Sequence, residues 1–368
     1  GACSPALLAT VACYFPLHAL NGCGALLKHG QGNEGEALAG LLRQQVAEPL
    51  RECELRAAMP RLTAIEDRVS QAVRQQYEDN PFPRWMVPLR FLEAKPLGAC
   101  LSARYPAARP GPAHDGRPFK ALVAGCGTGQ HAIDVARSYA GIELTAIDLS
   151  LGSLAYARRK AEEMGIANIR FAQADILGLQ EFEERFALIE SVGVLHHMHE
   201  PERGLRVLAG LLEPGGVMKL GLYSELGRRH IVAVRRLIAG RGHAATPEGM
   251  RRLRREIMQL DERALDRSVM LFSDFYSLSE CRDLLFHVQE HRYGVPDLKR
   301  MLDGLELEFA GFEVVPEVAK AYRARFPGDA ALISLDNWHV FETEQPDLFA
   351  GMYQFWVQKR ISGRQDVL

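Results

Sequence analysis

Three short stretches of this 368-residue chain carry residue types that do chemistry when they are brought together. The first is Gly125-Cys126-Gly127-Thr128-Gly129-Gln130, directly after the apolar run Lys120-Ala-Leu-Val-Ala124. Glycines after a strand permit a tight turn and let a ligand approach the backbone at the start of the next helix. The spacing is G-x-G-x-G, and Gln130 stands where a dinucleotide loop has its third glycine, which argues against NAD. The second is Asp148, at a strand end about twenty residues further on, where a carboxylate can accept both hydroxyls of a ribose. The third is Ala174-Asp175-Ile176, an acceptor for an adenine amino group beside an aliphatic face for the ring. A glycine loop, a ribose acid and an adenine acid on three consecutive strand ends describe an adenosine pocket with no demand for a pyrophosphate.

Other groups could act on a second reactant. The stretch Glu190-Ser-Val-Gly-Val-Leu-His196-His197 ends in two histidines, and a histidine near its ordinary pKa of about 6.5 can take a proton from a hydroxyl or amine. The alternative is that His196 caps backbone and His197 packs in the core. Glu190 and Tyr223 are equally well placed to touch an acceptor. His287-Val-Gln-Glu290-His291 matches H-x-x-E-H, which on a helix puts both histidines on one face. Because it lies downstream of a complete adenosine pocket, it is expected to close an acceptor pocket together with Tyr276 and Arg282, with no metal bound. The arginine-rich stretch from Arg228 to Arg267 is interleaved with acids and holds no aromatic residue. That pattern suggests solvated helix faces with i,i+4 pairs and argues against nucleic acid as a partner.

These residues need a scaffold, and the hydrophobic pattern supplies one. Residues 1–75 carry apolar positions at helical spacing; 76–117 are a proline-aromatic connector, read as non-helical from Tyr77, and a linker from Ala107 to Arg117. Residues 118–226 alternate five short apolar strands with helices, the signature of a doubly wound, mostly parallel sheet. Residues 227–303 are expected to be a helical insertion, with one helix over Ser273 to His291, and 304–368 two late strands that complete the sheet. The expectation is an α/β sheet of seven strands, the last antiparallel.

Composition fits this class. The chain is 47% hydrophobic and 24% charged, with a formal net charge of -2, so it has no global basic field. No apolar run reaches the ~18–20 residues of a membrane span. The seven cysteines form no C-x-x-C pair and read as buried small hydrophobes in a reducing compartment. The chain opens Gly-Ala with no leader pattern, so a cytoplasmic enzyme is expected. Oligomeric state is left open.

On Lys120 to Tyr223 the sequence resembles the class I S-adenosylmethionine-dependent methyltransferases. The resemblance implies that Gly125, Gly127 and Gly129 contact the methionine portion, Asp148 the ribose and Asp175 the adenine. Ile176 would pack on the ring, and Cys126, Gln130 and Leu149 would complete the pocket. Many members carry an acid two residues before the first glycine, where this chain has Val123. Holding the cofactor's amino group then falls to backbone, to Gln130 or to the connector. The connector Tyr77-Glu-Asp-Asn-Pro-Phe-Pro-Arg84-Trp85 and the Tyr276–His291 segment resemble bacterial methyltransferases associated with tetratricopeptide repeats. There the connector would act as a lid, with Tyr77 and Arg84 reaching the methionine carboxylate. The function implied is methyl transfer to an oxygen or nitrogen of a peptide side chain or elaborated small molecule. The alternatives are an RNA methyltransferase using the arginine stretch and a non-catalytic S-adenosylmethionine-binding interaction protein.

Overall fold

The structure is a computed structural model that describes residues 4–31, 35–87, 93–108 and 118–360. Most of the expected linker, from residue 109 on, lies outside the described residues. Buried runs of Val, Ile, Leu and Ala form the strands β1 (Phe119–Ala124), β2 (Ile142–Asp148), β3 (Ile169–Gln173), β4 (Phe186–Val192) and β5 (Leu212–Leu222). Two later strands, β6 (Leu307–Phe312) and β7 (Tyr353–Lys359), complete one seven-stranded sheet in the order β3-β2-β1-β4-β5-β7-β6. The pairs β1–β2, β1–β4, β2–β3 and β4–β5 are parallel, and β7 runs antiparallel to both β5 and β6. Strand order reverses between β1 and β4, which opens a crevice beyond their carboxyl ends.

Among the described residues five α-helices precede the sheet: α1 (Pro5–Ala12), α2 (Glu36–Leu42), α3 (Glu48–Ala57), α4 (Arg68–Asp79) and α5 (Leu97–Arg104). Within it lie α6 (Gln130–Ser138), α7 (Leu151–Glu163) and α8 (Pro201–Leu211). After β5 come α9 (Arg229–Arg241), α10 (Pro247–Met258), α11 (Leu278–Phe286) and α12 (Val295–Asp303); α13 (Pro316–Arg325) and α14 (Leu335–Glu344) separate β6 from β7. Apolar side chains of α9, α10 and α11 form their own small core around Phe275, beside the two clusters that flank the sheet. Among the described residues no helix is long and apolar enough to cross a membrane.

Four expectations change. The connector is not extended from Tyr77: α4 continues to Asp79, and only before Pro81 does the chain leave the helix, as the residue preceding a proline must. The stretch Ser273 to His291 is not one helix. It holds a single tight turn at Ser273–Phe275 and then α11, which stops at Phe286. His287–His291 is therefore non-helical. The backbone amides of His291 and Tyr293 bond to the carbonyls of His196 and Tyr223 (2.7 and 2.9 Å), so the segment is drawn out alongside the end of β5. The arginines after β5 are not all solvated, since Arg228 is buried and reaches inward. Cys13 and Cys53 are exposed, not core.

Candidate active site

The crevice holds a cavity of about 320 Å³ whose walls come from the ends of β1, β2, β3, β4 and β5, from α4 and from the connector. Its floor is the glycine loop. Gly125 takes φ +80°, and a Cβ there would lie 2.3 Å from Val194 Cγ2; Gly129 takes φ +85° and packs against Ala157. Only glycine satisfies both demands. The amides of Gly125 and Cys126 both donate to Ile147 O (2.8 and 2.9 Å), which fastens the loop to the end of β2.

Asp148 follows at once. Its two carboxylate oxygens accept from Gly127 N (2.8 Å) and Ser150 N (2.9 Å), so its orientation is fixed while further lone pairs remain. Burial pushes its pKa up, and the two amides work against that shift. Asp175 caps the turn after β3 by accepting from Leu177 N (3.0 Å), and burial raises its pKa too. Its own amide donates to Thr63 Oγ1 (2.8 Å). Thr63 follows an N-terminal segment that pairs with the β3 edge, Leu62 N to Gln173 O and Gln173 N to Pro60 O, both 2.8 Å. Leu149, Ile176, Cys126 and Gln130 line the same cavity.

Helix α4 closes the top. Its Glu78 accepts from Leu151 N (2.7 Å) and Gly152 N (3.3 Å) at the start of α7, which anchors α4 over the strand ends. Ser70, Val73 and Tyr77 of α4 line the cavity. The connector is strapped over the glycine loop: Trp85 Nε1 donates to Thr128 O (3.0 Å), Thr128 Oγ1 to Pro83 O, and Tyr156 OH to Trp85 O. Arg84 does not reach the cavity; it is exposed and lies 5.9 Å from the centre of the Tyr156 ring.

The cavity wall also holds a hydrogen-bonded cluster that no sequence pattern announces. Tyr77 OH donates to Asp283 Oδ1 (2.8 Å) and stands 3.3 Å from His287 Nε2. Gln289 N donates to His287 Nδ1 (3.2 Å), so the neutral ring carries its proton on Nε2 and donates toward Tyr77. His197 Nδ1 lies 2.7 Å from Gln289 O, which fixes that nitrogen as the donor. The rings of His197 and His287 stack at 3.6 Å, and His196 stacks on Tyr223 at 3.8 Å. Burial drives all three histidines down, His196 and His197 well below the usual range and His287 to about 4. Asp283 moves the other way: burial pushes it up to about 6, against the hydrogen bond from Tyr77.

The sequence-derived candidates therefore separate. His197, Tyr223 and Tyr77 line the cavity, whereas His196 is fully buried beneath Tyr223. Glu190 stands behind the wall, 2.8 Å from His131 Nε2; burial raises its pKa, but the His131 imidazole beside it holds it below the usual range. His131 does line the cavity, and Glu190 is in register with Val123 on the neighbouring strand. His287 adjoins the cavity through Tyr77 and His197. Tyr276 is exposed, with its hydroxyl on Met270 O (3.1 Å), and Arg282 and His291 line no cavity described here. Glu290 of the H-x-x-E-H stretch is buried in an ion cluster with Arg228 (2.6 Å), Arg235 (3.2 Å) and Arg292 (3.3 Å). Among the described residues no group of three His, Cys, Asp or Glu side chains is placed to hold a metal. Asp283 escaped the sequence reading because it is 206 residues from Tyr77, whereas His131 directly follows the glycine loop and could have been flagged.

Known proteins share parts of this chain's sequence and its fold. A family model described as "Methyltransferase domain" matches residues 121–216. An uncharacterized protein of Synechococcus sp. is 35% identical over 260 residues, 68% of this chain and 61% of that protein. A ubiquinone biosynthesis O-methyltransferase of Alkalilimnicola ehrlichii is 33% identical over 108 residues, 29% of this chain and 41% of its own. The chain thus spans less than two-thirds of these relatives. The structure of PKMT2 from Rickettsia typhi superposes with a TM-score of 0.53 at 16% identity, covering 73% of this chain and 52% of that one, and so shares the fold. Residues 121–216 of this chain carry a methyltransferase domain.

Proposed function

We propose that this protein methylates an oxygen or nitrogen of a peptide side chain or elaborated small molecule, with Asp283 and not a histidine receiving the acceptor's proton. S-adenosylmethionine supplies, when bound, a methyl group made electrophilic by its sulfonium. The residues present fit that group. The glycine loop presents Gly125, Cys126 and Gly127 to the cavity, Asp148 offers lone pairs to ribose hydroxyls, and Asp175 with Ile176 offers an acceptor and an apolar face to adenine. His131, which directly follows the glycine loop and is backed by Glu190, would hold the charged methionine end in place of an acid at position 123. Tyr77 and Asp283 stand together in the cavity wall, where Tyr77 orients the carboxylate by donating to it. Proton removal needs a base whose pKa lies near the working pH, and Asp283 at about 6 meets that better than His287 at about 4. Positioning within the closed cavity supplies the remainder of the acceleration.

The observation that carries this reading is the convergence of Gly125, Asp148 and Asp175 on one cavity. Titration calorimetry of the full chain with S-adenosylmethionine, S-adenosylhomocysteine and NAD tests it. Binding of the first two and not NAD is expected, with at least about tenfold weaker binding in Asp148→Ala, the scale of a lost charge-assisted hydrogen-bond pair. Native affinity in that variant would refute the assignment.

A further inference from the structure

A second cavity, of about 460 Å³, adjoins the first, and the two share Tyr223, Asp283 and Met352 as a common wall. Its lining is mixed: apolar faces from Phe272, Leu284, Val314, Val318, Leu348 and Phe349 stand beside charged groups. Arg228 is buried, bonds Glu290 at 2.6 Å and lies with its guanidinium 3.7 Å from the centre of the Tyr223 ring. Glu313 is paired with Lys219 at 2.6 Å. Two carboxylates remain, Asp274 and Asp283. Their hydrogen-bond neighbours are neutral hydroxyls, Ser273 Oγ at 3.2 Å and Tyr77 OH at 2.8 Å, and among the described residues neither forms an ion pair. Asp274 is only partly buried, whereas Asp283 is shielded enough for burial to dominate its titration, and a shielded carboxylate without an ion-pair partner is costly. Asp274 and Glu290 both push Asp283 upward electrostatically, behind the larger effect of burial, while Arg228 pulls it down.

We propose that this second cavity is the acceptor chamber and that it selects an organic amine, an apolar body among Phe272, Leu284, Val318 and Phe349 whose protonated nitrogen is held by Asp274 and Asp283. The proposal rests on the methyl-transfer reading above and narrows its acceptor to nitrogen. The ligand supplies the ion-pair partner that the two carboxylates lack, and the aromatic rings of Phe272 and Phe349 are surfaces that favour a nearby ammonium. Because Asp283 belongs to both cavities, it takes the ammonium proton onto its carboxylate, and the nitrogen keeps the electron pair of the broken N–H bond. That lone pair is then presented at the shared wall, facing the first cavity. Tyr77 keeps its hydrogen bond to Asp283 throughout and sets the direction of the carboxylate.

Matched probes test the chamber: 2-phenylethylamine, 2-phenylethanol and phenylacetate, with their cyclohexyl and indolyl counterparts, added to the full chain with and without S-adenosylhomocysteine. Binding is read by ligand-observed NMR and competition. The amine of each set is expected to bind at least about tenfold more tightly than its alcohol or acid, the scale of a charge-assisted contact. Asp274→Asn should remove that preference while S-adenosylhomocysteine affinity stays native, which also shows that the variant is folded. The proposal is overturned if an alcohol or acid binds as well as the amine, or if the preference survives in both Asp274→Asn and Asp283→Asn. It is equally overturned if no probe binds protein that does bind S-adenosylhomocysteine. Should S-adenosylhomocysteine itself fail to bind, the methyl-transfer reading falls, while the amine preference still decides the chemistry of the chamber.

Discussion

Asp283 is held by its surroundings in a state that costs stability, and that cost has a sign. In an unfolded chain it titrates near 3.8, but in the fold burial pushes it up to about 6. Between those values the folded protein binds more protons than the unfolded one, so this residue's contribution to stability is full below 3.8 and is lost as pH rises through about 6. At 1.36 kcal/mol per unit the swing is about 2–3 kcal/mol. Urea denaturation of Asp283→Asn should therefore show a stability advantage over the native protein that shrinks by about 2–3 kcal/mol between pH 7.5 and 3.5. A constant difference would mean that Asp283 is not buried as described. The histidines pull oppositely: His287, lowered to about 4 by burial, binds fewer protons when folded, so its contribution grows as pH rises from about 4 through 6.5. Sequence made Gly125, Asp148 and Asp175 legible because each follows its strand by a fixed spacing. It could not reveal Asp283, whose partner Tyr77 is placed by tertiary structure alone.

At the scale of elements, α4 was legible as part of a helical region but not as the roof of the site. What makes it a roof is Glu78 at the start of α7, together with the ion pair from Arg56 to Glu78 at 2.7 Å. Glu78→Ala removes a cap worth about 1–2 kcal/mol, and because Ser70, Val73 and Tyr77 ride on α4, S-adenosylhomocysteine binding should weaken with it. Denaturation and calorimetry on one variant check both, and native cofactor affinity would show that α4 is fixed by other contacts. The H-x-x-E-H stretch teaches the converse lesson. Its spacing fits a helix, yet Arg235 bonds the His287 carbonyl at 2.7 Å, Glu290 is drawn into three arginines, and the backbone bonds to Tyr223 and His196. Those long-range contacts outweigh a local pattern that alone predicts a helix.

Across the whole molecule, the parallel strands and their order of appearance could be read from buried apolar runs, since a strand covered on both faces has no alternative composition. The spatial order, with β7 inserted between β5 and β6, has no local signature. Nor has the way the N-terminal helices fold back, where the buried Arg159 of α7 meets Glu48 (3.3 Å) and Glu52 (2.9 Å) of α3. That return carries Thr63 and α4 to the crevice, so a site announced by three strand ends is completed by residues from the N-terminal helices and the late insertion. The measurement that tests this account most directly is a crystal structure of the full chain with S-adenosylhomocysteine. The account predicts the ligand in the β1–β4 crevice, with ribose hydroxyls on Asp148, adenine beside Asp175 and Ile176, and the sulfur facing Asp283. A ligand bound elsewhere, or one that turns its adenine toward Asp283, would contradict it.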